Sequence, residues 1–173
     1  MQEFLEIIKI LIPAGAVFAA TYFIVRTFFV NENKKRDYEL RKSQISLSTP
    51  IRLQAFERII IFLERIEPTN LVLRTHKAGM NAAQLHTDLL KSVKVEYEHN
   101  ISQQIYISAG AWQLVKTAKE ETLKLINISV TKVNDNAKSQ DLAQIILQIA
   151  SSVDKTPTQI ATEFLKREVA QHF

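Results

Sequence analysis

The sequence predicts an all-α protein with one N-terminal transmembrane helix, a charged helical stalk and a cytoplasmic helical bundle. Three observations support this prediction: a long apolar stretch near the N-terminus, few glycines and prolines, and apolar residues that recur at helical spacing in the remaining chain. With only three glycines and four prolines, the chain has few positions for the tight turns that a sheet protein needs.

The N-terminal apolar stretch runs from Ile7 to Val30. At about 1.5 Å per residue it forms a helix of about 36 Å, which crosses a hydrocarbon core of about 30 Å with some tilt. Its charged residues, Lys9 and Arg26, lie near the two ends, where long side chains reach the lipid headgroups. We therefore predict a membrane anchor over residues 1–30.

Two other interpretations compete with a membrane anchor. A cleaved signal peptide normally begins with positive charge, whereas Glu3 and Glu6 make this N-terminus acidic. A buried soluble helix normally has an amphipathic stripe, whereas this stretch is apolar around its whole circumference. Both comparisons favour a helix that faces lipid.

Small residues within the stretch form a candidate face for helix packing. Gly15 and Ala19 are four residues apart, and Ala16 and Ala20 extend the same small surface. Small residues let transmembrane helices approach closely, although ordinary small-residue usage in a span gives the same pattern. Pro13 precedes this face and predicts a kink or a helix start, because proline lacks a backbone N–H donor.

The flanking charges predict the orientation of the anchor. Lys and Arg near the ends of a span decide its topology, and most of them follow this stretch. We therefore expect a single-pass inner (plasma) membrane protein with its N-terminus outside and its C-terminal domain in the cytoplasm. The predicted membrane-interface residues are Lys9, Arg26, Lys34, Lys35 and Arg36.

Residues 31–48 predict the charged stalk, because they include no glycine or proline and few apolar side chains. Thr49 and Pro50 then predict a helix start, with Thr49 as the cap and Pro50 in the first turn. The wide apolar face from Ile51 to Ile66 predicts the central helix of a bundle over residues 49–173.

Further helical segments complete the predicted bundle. Asn81 and Thr156 each have the position of a helix cap, and Pro157 follows Thr156 as Pro50 follows Thr49. The small residues 108–111 fall in the middle of a long predicted helix, where another backbone could approach closely. The predicted segments are residues 71–76, 82–100, 101–133, 142–153 and 157–169, with a polar linker at 134–140.

The sequence contains no pattern typical of a catalytic or cofactor site. It lacks a P-loop, a dinucleotide-binding glycine motif and a nucleophile elbow. Glu96, Glu98 and His99 are candidates for a carboxylate–imidazole site, but a solvated polar face is by far the better explanation of these residues. The absence of cysteine excludes disulfides and thiolate metal sites. We therefore predict a protein that is not an enzyme and that binds no cofactor or metal.

The layout of one span, a charged stalk and a helical cytoplasmic domain resembles small bacterial membrane-anchored helical proteins of no assigned function. This resemblance rests on no motif and implies no residue roles. We predict a structural or adaptor subunit of an inner-membrane complex, whose partners are membrane lipid and other transmembrane subunits or a second copy. Neither nucleic acid nor a small-molecule substrate is indicated. The alternative is a membrane-tethered ligand-binding or enzymatic helical domain.

Overall fold

The computed structural model describes residues 2–134 and 136–172, with their side chains except those of residues 2–14, Ala16, Ala19, Asp37, 40–48 and His172. These residues form helices and no strand, so the prediction of an all-α fold is confirmed. The helices are α1 (Gln2–Ile66), α2 (Pro68–Thr75), α3 (Ala82–Asn100), a 3₁₀ helix (Ile101–Ile105), α4 (Ala109–Val130), α5 (Ser139–Ser151) and α6 (Pro157–His172). The chain divides into two compact units, Met1–Thr49 and Pro50–Phe173.

The predicted helix start at Thr49 and Pro50 is wrong, because α1 is helical through both residues. Proline in a helix interior removes one backbone hydrogen bond, and the good helix formers Arg52, Leu53, Gln54 and Ala55, which follow it, offset part of this local cost. α1 begins at Gln2, so Pro13 does not start a helix either. The side chain of Pro13 lies outside the described residues.

The hydrophobic core of the second unit is built on the last four turns of α1. Phe56, Ile59, Phe62, Leu63 and Ile66 are all fully buried and belong to one apolar cluster with side chains from α2 to α6. Each fully buried side chain of this size contributes about 1.5–3 kcal/mol relative to an exposed one. The wide apolar face seen in the sequence therefore marks the central helix.

An aromatic group extends this core toward α4. The Tyr97 ring stacks on Trp112 with 5.7 Å between centroids, and it also contacts Phe62 at 6.0 Å. The Lys119 ammonium lies 4.5 Å from the centroid of the Tyr97 ring, within range of a cation–π interaction. Trp112 is buried in this group and serves as a core residue.

The predicted cap of α3 is confirmed. The Gln84 N–H donates to Asn81 Oδ1 at 2.8 Å, and the Asn81 N–H donates to Gln84 Oε1 at 3.0 Å. This reciprocal pair is a capping box, which satisfies two backbone donors at the helix start. Thr156 caps α6 in the predicted way, with Pro157 as the first helical residue.

A short antiparallel bridge joins the starts of α3 and α5. The Ala82 N–H donates to the Ala137 carbonyl at 3.1 Å, and the Ser139 N–H donates to the Met80 carbonyl at 3.3 Å. His76 Nε2 lies 3.0 Å from Ser139 Oγ, which connects the end of α2 to the same place. Three helix ends therefore meet at this bridge.

The prediction of one long helix over residues 101–133 is wrong in its first part. The 3₁₀ helix and a turn precede α4, which begins at Ala109. Ser108 is the N-cap of α4, and its Oγ accepts the Ala111 N–H at 3.1 Å. The small residues 108–111 therefore lie at a helix start and not in mid-helix, because serine competes with the helical backbone and favours a cap.

Candidate functional site

The largest run of exposed apolar side chains among the described residues lies on α1 between Val17 and Val30. The exposed fraction of these side chains ranges from 45% to 76%. Monomeric soluble proteins rarely expose apolar patches of this kind, and such patches usually contact lipid or another protein. The side chains are Val17, Phe18, Tyr22, Phe23, Ile24, Val25, Phe28, Phe29 and Val30.

Edge-to-face contacts order the aromatic rings of this surface. The centroids of Tyr22 and Phe23 are 5.8 Å apart, and those of Phe28 and Phe29 are 6.1 Å apart. The Thr21 hydroxyl donates to the Val17 carbonyl at 2.8 Å, so this hydroxyl is satisfied inside the helix. The Thr21 side chain therefore needs no partner outside the helix.

The predicted membrane-interface residues include four whose side chains the structure describes, and all four are exposed. These are Arg26, Lys34, Lys35 and Arg36, while Lys9 lies outside the described side chains. Arg36 Nε lies 4.0 Å from Glu32 Oε1 one helical turn away. Because this pair is exposed, it contributes little to stability and leaves the basic cluster available to an anionic surface.

The predicted helix-packing face is described only in part. Gly15 and Ala20 are exposed, and a Cβ built on Gly15 would meet nothing within 4 Å. The surroundings of Ala16 and Ala19 lie outside the described residues. A packing role for these four residues stays a prediction.

Two further findings concern the described residues as a whole. No helix in the described part of the chain is both long and apolar enough to cross a membrane. Among the same residues, no group of three or more His, Asp or Glu side chains is placed to hold a metal ion.

A cluster of partly buried charged side chains joins α1, α2 and α3. Arg65 Nη1 and Arg74 Nη1 donate to the same Glu96 oxygen, Oε1, at 2.9 and 3.0 Å. Arg74 Nη2 also donates to the Arg65 carbonyl at 3.3 Å, which satisfies a carbonyl at the end of α1. Glu98 and His99 are exposed beside this cluster, and Glu96 is engaged by arginine.

The electrostatics of this cluster favour an ionised Glu96. Partial burial alone would raise the pKa of the Glu96 carboxyl, since only 14% of this side chain is exposed. The hydrogen bonds and charges of Arg74 and Arg65 outweigh burial and hold the pKa below its ordinary value. A carboxylate held ionised between two arginines orients three helices and is poorly placed to accept a proton in catalysis.

The carboxylate of Glu168, which is more deeply buried than that of Glu96, was not evident from the sequence patterns. Only 7% of Glu168 is exposed, and it accepts two hydrogen bonds from Ser108. The Ser108 N–H donates to Oε1 at 3.1 Å and the Ser108 hydroxyl donates to Oε2 at 2.6 Å. The signal for this contact is that Glu168 falls on the same face of α6 as the buried residues Ala161 and Leu165.

An apolar cavity of about 310 Å³ lies between α4, the end of α5 and the start of α6. Leu125 and Ile128 line it from α4, Ile149 and Ala150 line it from α5, and Val153 lines it from the connection to α6. Ligand sites commonly begin at about 300 Å³ and are mostly apolar. We refer to it below as the apolar cavity.

These features define a helical protein with an exposed apolar helix and an apolar cavity in its bundle. The chain matches the family of unknown function DUF7935 over residues 2–172, and it belongs to that family. No curated protein and no solved structure matches it.

Proposed function

We propose that this protein is a membrane-anchored, non-enzymatic structural or adaptor subunit of an inner-membrane complex. The observation that supports this proposal is the exposed apolar surface of α1 between Val17 and Val30. A helix satisfies its own backbone groups, so such a surface is stable in lipid and costly in water. In this proposal residues 1–30 are the anchor, 31–48 the stalk and 49–173 the cytoplasmic domain.

The charge that follows the apolar surface supports the proposed orientation. Lys34, Lys35 and Arg36 are exposed, and a basic cluster after a span favours the cytoplasmic side with its anionic lipids. The small residues from Gly15 to Ala20 would let the anchor pack on another transmembrane helix or on a second copy.

Membrane fractionation of the full chain tests the anchor. We expect the protein in the membrane pellet, resistant to alkaline carbonate and released by gentle detergent. Crosslinking before that release should trap a second chain, either another subunit or a copy of this one. Recovery in the supernatant without detergent contradicts the anchor, and recovery only as a lone monomer contradicts the role as a subunit.

The absence of cysteine allows a direct test of topology. Gln2→Cys and Ser151→Cys each introduce one thiol, the second at an exposed position at the end of α5. A membrane-impermeant maleimide should label Gln2→Cys in intact cells and should label Ser151→Cys only after permeabilisation. The reverse pattern would contradict the proposed orientation.

A second candidate function is a tethered ligand-binding domain. The apolar cavity favours it, because a volume of about 310 Å³ and a mostly apolar lining are typical of a ligand site. This function is compatible with an anchor and does not depend on one.

A further inference from the structure

Two of the threonines that line the apolar cavity already have hydrogen-bond partners. Thr156 Oγ1 and Thr158 Oγ1 lie 2.8 Å apart in a hydrogen bond, and the Gln159 N–H donates to Thr156 Oγ1 at 3.3 Å. Pro68 and Pro157, which also line the cavity, have no backbone N–H to offer. Throughout the described residues, no buried side-chain nitrogen or oxygen lacks a hydrogen-bond partner. The surface that the cavity offers an occupant is therefore mostly apolar.

The size of the cavity restricts the occupant further. A methylene group fills about the volume of a water molecule, roughly 30 Å³, so the cavity accommodates on the order of ten carbon atoms. This matches a single aliphatic chain of medium length and is too small to enclose two long chains. Ile128 and Val153 are about half exposed at the cavity, so an aliphatic occupant would cover them.

Among the described residues that line the apolar cavity, one is a cation. Lys124 Nζ lies 3.7 Å from Glu121 Oε2 on the same helix, and both side chains are largely exposed. An exposed pair at this distance is weak, so Lys124 can exchange Glu121 for an anionic group of a ligand at little cost. The mouth therefore suits a chain that ends in a carboxylate.

We propose that the apolar cavity binds the aliphatic chain of a free medium-chain fatty acid, with the carboxylate beside Lys124. This inference deepens the second candidate function and is independent of the membrane anchor. It names a ligand class for the bundle, where the sequence patterns indicated no small molecule.

Photo-crosslinking of the full-length protein in lipid nanodiscs tests where the aliphatic chain of the fatty acid binds. The probe is decanoate that carries a diazirine near its methyl end, and adducts are mapped by mass spectrometry. We expect adducts on cavity residues such as Leu125, Ile149 and Val153. Adducts confined to the exposed apolar surface of α1 would overturn the inference and would leave the anchor unaffected.

Competition with unlabelled fatty acids tests the length of the chain. The free aqueous concentration that halves crosslinking should fall about fourfold for each methylene added from hexanoate to decanoate. It should then level off, because the cavity is full. A concentration independent of chain length, or one that continues to fall through palmitate, would overturn the inference.

One substitution with a matched control tests the apolar contacts. Val153→Gln places an amide at the cavity and should raise the half-displacement concentration of decanoate about tenfold. Val95→Gln, at an exposed valine of α3 away from the cavity, should leave it unchanged. Equal effects of the two variants would contradict binding in the cavity.

The role of Lys124 is tested by changing the head group of the ligand. Lys124→Gln should weaken decanoate about twofold to fivefold and leave decanol unchanged. Lys116→Gln, on the same helix but not at the cavity, should affect neither ligand. Equal weakening of decanoate and decanol by Lys124→Gln would contradict the carboxylate contact.

Discussion

Two glycines of the bundle, Gly79 and Gly110, differ in their backbone conformation. Gly79 follows α2 with a φ of +86°, a left-handed conformation that costs an L-residue about 1–2 kcal/mol. A Cβ built there meets no atom within 4 Å, so the backbone is the only obstacle to a larger residue. Gly110 lies in the first turn of α4, where a Cβ would meet Phe164 Cζ at an ordinary contact distance of 3.8 Å.

Alanine at these two positions should therefore change stability in opposite directions. We expect Gly79→Ala to lower the free energy of unfolding by about 1 kcal/mol and Gly110→Ala to raise it by about 0.5 kcal/mol. Urea unfolding of the full chain, followed by the fluorescence of its single tryptophan, Trp112, measures both. Loss of stability in both variants would show that Gly110 is constrained by packing.

The ionised state of Glu96 gives the fold a specific acid sensitivity. Because the folded-state pKa of Glu96 is lowered, its contribution is fully present above the ordinary value of 4.5 and is lost as pH falls through the folded-state pKa. Glu96→Gln should lower the free energy of unfolding by about 1 kcal/mol at neutral pH, a modest loss because both arginines are about half exposed.

Comparison across pH separates this effect from packing. The difference between the wild type and Glu96→Gln should shrink as the pH of urea unfolding is lowered from 4.5 through the folded-state pKa, since the wild-type carboxylate then becomes protonated. Glu98→Gln, at an exposed position on α3, is the matched control and should show no such convergence. If the difference in the free energy of unfolding were the same at all pH values, the loss would come from altered packing and not from the charge of Glu96.

At the scale of elements, α4 and α6 are joined by a contact between residues 60 positions apart. Glu168 accepts both hydrogen bonds from Ser108, and the same serine caps α4 through Ala111. The cap and the contact between helices therefore share one hydroxyl.

This shared hydroxyl predicts non-additive substitutions. Ser108→Ala should lower the free energy of unfolding by about 1–2 kcal/mol, and Glu168→Ala by about 1–3 kcal/mol because the Ser108 N–H is left without a partner. The double variant should lose at least 0.5 kcal/mol less than the sum of the two losses, as measured by urea unfolding. Strict additivity would mean that the two residues act separately.

A helix start could be predicted from the sequence where it depends on residues close by in the sequence. The caps at Asn81 and Thr156 are set by side chains three residues away, and both are confirmed. Thr49 with Pro50 has the same local pattern but lies inside α1. A local rule states what can start a helix, and it does not exclude a helix that continues through the same residues.

At the scale of the whole molecule, an exposed apolar helix surface and a packed bundle belong to one chain. The apolar surface is contiguous in sequence, so it was evident before the structure. The lining of the apolar cavity runs from Pro68 to Thr158 and its parts meet only in the fold. The hydrogen bonds between Glu168 and Ser108 could not be predicted for the same reason, because these residues are far apart in the sequence and meet only in the fold.

One substitution separates the proposed anchor from the bundle. Phe18→Lys places a charge at an exposed position near the middle of the apolar stretch, where lysine costs about 3 kcal/mol in a membrane helix. We expect a smaller fraction in the membrane pellet and unchanged unfolding of the bundle. Tyr38→Lys, at an exposed aromatic beyond the stretch, is the control and should pellet like the wild type.

The position of the core helix in the chain has a consequence for biosynthesis. Phe56, Phe62 and Ile66 leave the ribosome before any of the helices that cover them, and α6 supplies Ala161 and Leu165 last. The nascent chain therefore exposes these hydrophobic side chains until the later helices have been synthesised. Molecular chaperones that recognise hydrophobic segments can therefore bind the C-terminal part of α1 for longer than any later helix of the bundle, although this part is buried in the folded protein.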